Sequence, residues 1–111
     1  MSSYVEITIE KGASFEAEIL LEDTESNSVD ITDISFEACV RNYYSSTVSL
    51  PFTVTKTRPT DGILTIFLSH DDTATLKNGN HVWDLLAYHP DGTRERVLEG
   101  QALATPPVSP P

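Results

Sequence analysis

The chain has 111 residues, which is the size of one domain with a single hydrophobic core. Its 7 basic and 17 acidic residues give a net charge of −10, which repels nucleic acid backbones and anionic lipid surfaces alike. We therefore expect neither nucleic acid nor a membrane as a partner. The start of the chain lacks a signal-peptide pattern, and no apolar stretch is long enough to span a bilayer.

The acidic residues are concentrated in the first part of the chain. Residues 1–40 contain ten acids and a single base, Lys11. This imbalance predicts a strongly negative region of the surface. Such a region either keeps the protein soluble or steers it toward a basic partner surface.

The N-terminal third alternates apolar and polar residues, which is typical of strands with one face in water. Val5, Ile7 and Ile9 form the first apolar row. Gly12 then allows a sharp turn into a second strand, whose apolar row begins at Phe15. The polar stretch 23–33 predicts a loop.

Three more strands are predicted in the middle of the chain. The clearest is Ile34–Arg41, where every second side chain is apolar. Val48–Val54 also alternates, although Pro51 indicates an edge position or a bulge. A turn over Arg58–Gly62 precedes Ile63–Leu68, whose nearly continuous apolar character predicts a strand covered on both faces.

The last third holds one short helix and the closing strands. The helix is predicted near residues 71–77, capped by Ser69 or Asp71. A strand over His81–His89 follows, and Gly92 closes a hairpin turn at Pro90-Asp91-Gly92.

The return strand of that hairpin is predicted over Thr93–Leu98, with another short strand over Gln101–Ala104. Gly100 permits a bulge between these two strands, and Asp84 caps a sheet edge or bonds a neighbouring backbone.

These elements predict an all-β fold, an antiparallel β-sandwich of about seven to eight strands that is Ig-like or jelly-roll-like. Residues 1–104 form the single domain. Residues 105–111 form a proline-rich extended arm that either lies across a neighbour or is disordered. The prolines of this arm are Pro106, Pro107, Pro110 and Pro111.

The sequence predicts no catalytic residue, cofactor or metal site. The nucleophile-elbow, P-loop, HExxH and CxxC patterns are absent, and His81 and His89 lie too far apart along one strand to share a metal ion. Cys39 is the only cysteine, so it forms no internal disulfide, and we interpret it as an inert packing residue. We therefore expect a protein that is not an enzyme.

Aromatic residues support an alternative function. Tyr43, Tyr44 and Trp83 are candidate contacts for a glycan, as in a carbohydrate-binding β-sandwich module. The position of Trp83 in the middle of a strand favours a role in the core instead.

Three blocks of sequence resemble a group of small β-sandwich domains found in virion structural proteins of tailed phages. They are the opening Ile-Thr-Ile-Glu-Lys-Gly-Ala-Ser-Phe, the central Asp-Ile-Thr-Asp-Ile-Ser-Phe-Glu-Ala, and a closing block. The closing block joins Asn78-Gly-Asn-His-Val-Trp-Asp-Leu, Pro90-Asp-Gly and Val97-Leu-Glu-Gly.

This resemblance implies a virion protein that binds copies of itself and neighbouring capsid or tail proteins. Many domains of the group begin longer fibre or baseplate chains, so a single domain suggests a capsid decoration protein or a tail accessory. We expect a homo-oligomer, with a trimer favoured, because symmetric copies bury exposed strand edges. A third possibility is a regulatory adaptor in a bacterial cell, which would be a monomer.

Overall fold

The computed structural model describes residues 3–23, 25–41 and 49–106. These residues form nine strands, one short helix (α1) and one 3-10 turn over Pro59–Asp61. The strands and the helix are β1 (Ser3–Tyr4), β2 (Ile7–Glu10), β3 (Phe15–Leu20), β4 (Ser35–Arg41), β5 (Ser49–Pro51), β6 (Thr53–Arg58), β7 (Ile63–Leu68), α1 (His70–Ala74), β8 (Gly79–Tyr88) and β9 (Arg94–Thr105).

The strands form two sheets, so the predicted all-β sandwich is confirmed. The larger sheet has the order β1-β9-β8-β4-β5, with β2 continuing β1 along β9, and the smaller sheet has the order β3-β7-β6. Counting β1 and β2 as one interrupted strand gives eight. The triplets β9-β8-β4 and β3-β7-β6 follow the G-F-C and B-E-D orders of immunoglobulin sandwiches, so the Ig-like alternative describes the strand order.

The core lies between the sheets and is built from the period-two rows. The largest fully buried side chains come from both sheets, from the loop before β4 and from α1, and they are Ile9, Ile31, Val40, Leu64, Ile66, Leu68, Thr73 and Leu85. Along β7, buried and half-buried residues alternate strictly, so the expectation that this strand is covered on both faces is wrong. Thr65 and Phe67 face outward and remain half-buried.

The first strands pair in parallel, unlike the other strand pairs of the described chain. Ile7 lies opposite Ala102 and Glu10 lies opposite Thr105, with both strands running in the same direction. The cause is topological, because β2 lies in the larger sheet whereas β3 lies in the smaller one. The two strands therefore do not form a hairpin, and β2 fills the border of β9.

The segment predicted as one strand over Val48–Val54 crosses between the sheets. Its first part, β5, pairs with β4, and its second part, β6, pairs with β7. The change occurs at Phe52, which is buried and whose N–H donates to the Ala38 carbonyl at 2.9 Å. Pro51 lies in the border strand β5, so the edge position is confirmed, while Val48 falls outside the described residues.

The closing strands differ from prediction in their continuity. The two strands expected after the hairpin are one strand, β9, which extends to Thr105, a residue predicted to start the arm. The bulge lies at Val97, where the pairing shifts from Leu85↔Leu98 to Leu86↔Arg96, and not at Gly100. The helix is confirmed but spans His70–Ala74, and Ser69 caps it by accepting the Asp72 N–H.

Candidate interaction surface

Gly12 and Phe15 occupy the positions that the sequence predicted. Gly12 has a φ of +85° and its N–H donates to Thr73 Oγ1 at 3.1 Å, which fixes the turn into β3. The Phe15 ring packs against Phe52 with 5.9 Å between ring centroids. Both residues serve the fold.

Trp83 is a core residue with one polar tie to the N-terminal segment. Its side chain is 3% exposed, and its Nε1–H donates to the Val5 carbonyl at 2.9 Å. The ring therefore presents no open face on which a sugar can stack, and the glycan role suggested for Trp83 is wrong for this structure. Tyr43 and Tyr44 lie outside the described residues.

Asp84 bonds side chains and lies in an interior strand, so its predicted role as an edge cap is wrong. Its carboxylate lies 3.3 Å from Arg96 Nε, and the Cys39 thiol donates to it at 3.9 Å. Burial, followed by the nearby Asp84 charge, raises the pKa of the Cys39 thiol. The protonated thiol is a poor nucleophile, which supports the interpretation of Cys39 as inert.

Gly92 and the arm complete the sequence-predicted positions. Gly92 has a φ of +90° in the β8–β9 hairpin turn, where the Thr93 N–H donates to Asp91 at 2.9 Å. Hydrogen bonds from Thr93 lower the pKa of Asp91. Pro106 is exposed, and Pro107, Pro110 and Pro111 lie outside the described residues.

Gly100 has a structural role that the sequence did not indicate. A Cβ at this position would overlap the backbone of Val5, which crosses β9 at this point. The Val5 N–H donates to the Glu99 carbonyl at 2.8 Å, and the Val5 carbonyl accepts from Trp83. Gly100 and Trp83 together therefore hold the N-terminal segment against the larger sheet.

Two of the exposed large apolar side chains, Val5 and Leu20, line one groove of the sandwich. Within the described ranges the exposed large apolar side chains are Tyr4, Val5, Leu20 and Leu103, with exposures of 58%, 38%, 52% and 40%. Val5 joins β1 to β2 and Leu20 ends β3. Leu103 faces outward from the larger sheet instead, because its neighbours Ala102 and Ala104 are buried. We call the surface around Val5 and Leu20 the β1–β3 side.

An apolar groove runs along the β1–β3 side, between the two sheets. One wall is the stretch Val5–Ile7 and the other is β3 from Ala17 to Leu20, with Trp83 and Leu98 at its base. The groove has a volume of about 250 Å³. A cavity of about 150 Å³ is enough to hold a benzene ring, so the groove has room for a large apolar side chain.

Three carboxylates border this groove without a counter-charge. Glu6 lies between the two groove-lining residues of the first wall, and Glu16 and Glu18 project outward from β3. All three are exposed, and none forms an ion pair with another described residue. The negative region predicted from composition therefore includes the border of the smaller sheet.

No cluster with metal-binding chemistry appears in the part of the chain that the structure describes. No group of three or more histidine, cysteine, aspartate or glutamate side chains there is arranged to hold a metal ion. Within the same residues, no helix is long and apolar enough to cross a membrane.

No protein-family model matches the sequence, and no curated protein matches it.

The sequence contains one signal for the groove, which is an apolar residue in the polar row of β3. Leu20 interrupts the polar row of β3, because Glu16 and Glu18 precede it on the same outward face. An apolar residue on a wet face is informative when others adjoin it. Val5 adjoins it only in the folded chain, so periodicity alone did not reveal the surface.

Proposed function

We propose that the chain is a non-enzymatic structural protein of a tailed-phage virion. In this role it is a capsid decoration or tail accessory module that binds neighbouring virion proteins. The observation that carries the proposal is the β1–β3 side, where exposed apolar side chains adjoin a strand border that has no partner in the described chain. Val5 and Leu20 are exposed and line the same groove, and apolar surface of this kind marks sites of protein–protein contact.

The resemblance to phage virion domains supplies the setting. Its opening block covers β2 and the turn into β3, and its central block leads into β4. Its closing block covers most of β8, the hairpin turn and the middle of β9. In the central block, Thr32 donates its N–H to Asp30 at 3.0 Å, and hydrogen bonds from Thr32 lower the pKa of Asp30.

The proposal includes self-association. We propose a homo-oligomer, with a trimer favoured, in which the proline-rich arm lies across a neighbouring copy. Because Thr105 pairs with Glu10 in the larger sheet, a clean test of the arm removes residues 106–111 and leaves Thr105 in place. Light scattering coupled to size-exclusion chromatography should show an oligomer for the full chain and a smaller species for the deletion.

The decisive test of the function is the location of the protein. Virions produced by the host that carries the gene are purified, and the chain is sought in them by mass spectrometry and immunogold labelling. We expect a fixed number of copies per particle, at one site on the head or the tail. Absence from purified particles, together with a monodisperse monomer in solution, would contradict the proposal and favour the adaptor alternative.

The carbohydrate-binding alternative is addressed by a glycan array. The burial of Trp83 removes one of its three aromatic contacts. We expect no glycan to bind at concentrations where virion proteins do. Binding of a specific glycan that is abolished by substitution of Tyr43 and Tyr44 would establish the alternative.

A further inference from the structure

The border formed by β3 is a regular strand edge. β3 pairs with β7 over six consecutive residues, from Phe15↔Leu68 to Leu20↔Ile63, with no register shift. On its other side, no strand pairs with it in ranges 3–23, 25–41 and 49–106. A border strand of this kind presents outward backbone N–H and C=O groups, which are a template for one more strand.

The groove lies where the inward side chains of such an added strand would point. Phe15, Ala17 and Ile19 face inward from β3. Ala17 and Ile19 line the groove, together with the outward residues Glu18 and Leu20. Because side chains alternate along a strand, every second side chain of an added strand enters the groove and the others lie beside Glu16 and Glu18. The site therefore requires apolar residues at one set of alternate positions.

The charges on the border define the other set. Glu16 and Glu18 occupy successive outward positions of β3 and have no counter-charge from described residues. A lysine or arginine directly opposite a glutamate stabilises a strand pair, whereas like charges destabilise it. Pairing of β3 with the β3 of a second copy brings four glutamates together, so this border disfavours a copy of the same chain.

We propose that the β3 border and its groove bind an extended segment of a different protein by strand addition. The segment carries apolar side chains that fill the groove, alternating with lysine or arginine side chains opposite Glu16 and Glu18. This inference rests on the proposed function, because it names the chemistry of the neighbour that the module binds. Strand addition supplies affinity through backbone hydrogen bonds and specificity through the alternating side chains.

The test uses the full-length chain and synthetic peptides of six residues, the length of β3. The probe alternates lysine and valine. One control peptide alternates glutamate and valine, and a second alternates lysine and serine, so each control lacks one of the two required features. Trp83 is the only tryptophan and lines the groove, so its fluorescence reports occupancy.

We expect saturable binding of the lysine–valine peptide with a Kd of about 1 mM or tighter, and weaker binding of both controls. Reversing the border charges with Glu16→Lys and Glu18→Lys should weaken binding of the lysine–valine peptide by about tenfold. The same change should strengthen binding of the glutamate–valine peptide. The double variant Glu25→Lys, Asp33→Lys makes the same charge change at two exposed positions away from the groove and should leave the preference intact.

A second pair of variants tests the apolar wall. Val5 and Tyr4 are both exposed neighbours, but only Val5 lines the groove. Val5→Ser should weaken binding of the lysine–valine peptide by several-fold, while Tyr4→Ser should leave this binding unchanged. Circular dichroism and the fluorescence of the free variants confirm that each variant is folded.

Two results would overturn the inference. One is the failure of the lysine–valine peptide to bind the folded protein, and the other is binding that the charge reversal leaves unchanged. In the second case the glutamates repel acidic strands but do not select a basic segment. Detection of the chain in purified virions does not depend on these peptides, so strand addition and the virion role can fail separately.

Discussion

The two borders of the sandwich differ in how readily their edge strands can pair with a further strand. The β3 border is regular over six residues and lies beside an apolar groove. The opposite border, formed by β5 and β6, contains Pro51 and a register shift between Thr55 and Arg58. There the Lys56 ammonium donates to the carbonyls of Thr32 and Ile34, at 2.9 Å each.

This difference indicates that one border is protected and the other is available. Proline, an irregular register and lysine are the devices by which natural sheets prevent edge-to-edge association. The β3 border has none of these and carries only glutamates, which repel another acidic strand and attract a basic one. Charge on β3 therefore selects the partner strand, whereas the irregular geometry of β5 and β6 disfavours strand addition there.

The largest expected effect comes from breaking one wall of the β1–β3 side. Gly100→Ala places a Cβ against the Val5 backbone and should displace the N-terminal segment, at a cost of roughly 3 kcal/mol in the free energy of unfolding. Urea denaturation measures this loss, and the lysine–valine peptide should no longer bind.

Gly92→Ala is the matched control for that substitution. Gly92 has a positive φ, unlike Gly100, but nothing lies within 4 Å of its added Cβ, so only the strained backbone adds a cost, of about 1 kcal/mol. Equal losses for the two variants would show that close approach to Val5 is unimportant.

Trp83→Phe should have the next largest effect. It removes the Nε1–H that donates to the Val5 carbonyl and leaves this partly buried acceptor without that donor, at a cost of about 1–2 kcal/mol. Tyr88→Phe removes an exposed hydrogen bond to Glu37, of 2.9 Å, and should change stability by less than about 0.5 kcal/mol. A smaller loss for Trp83→Phe than for Tyr88→Phe would mean that Trp83 does not hold the segment.

Lys56→Met probes the protected border. The variant keeps the aliphatic stem but loses both hydrogen bonds to backbone carbonyls, so unfolding should become easier by roughly 0.5–1 kcal/mol. Lys77→Met is the control, since Lys77 is also exposed, and we expect a change near zero. Thermal denaturation of the two variants gives the comparison. Equal midpoints would show that the Lys56 hydrogen bonds do not stabilise this border.

The smallest effect is expected for the charge reversal on β3. Glu16 and Glu18 are exposed and have no ion pair in the described chain, so replacing both by lysine should change stability by no more than about 0.5 kcal/mol. The variant should thus lose its preference for a basic peptide while remaining as stable as the native chain. A loss above about 1 kcal/mol in urea denaturation would show that the glutamates serve the fold.

The strands were predictable where local patterns decide them. Alternation identified β3 and β4, and Ser69 with the acids after it identified α1. The assignment of strands to sheets depends on long-range pairing, which local patterns do not show. Pro51 indicated an edge or a bulge, but nothing near it showed that the chain changes sheets at Phe52.

The candidate surface depended even more on such long-range choices. Its walls come from Val5–Ile7 and β3, and its base includes Trp83 and Leu98, which are distant in sequence. The parallel pairing of β2 with β9 brings them together, and periodicity carries no information on which strands pair. Only the acidity of the first forty residues and the apolar Leu20 on a polar face were visible beforehand.

Residue-resolved amide hydrogen exchange along β3 tests the central claim most directly. In the free chain, we expect alternate amides of Phe15–Leu20 to be protected by β7 and the others to exchange quickly. Saturation with the lysine–valine peptide should slow the fast set and leave β5 and β6 unchanged. Slowing confined to β5 and β6, or a fast set that the bound peptide does not affect, would contradict strand addition at β3.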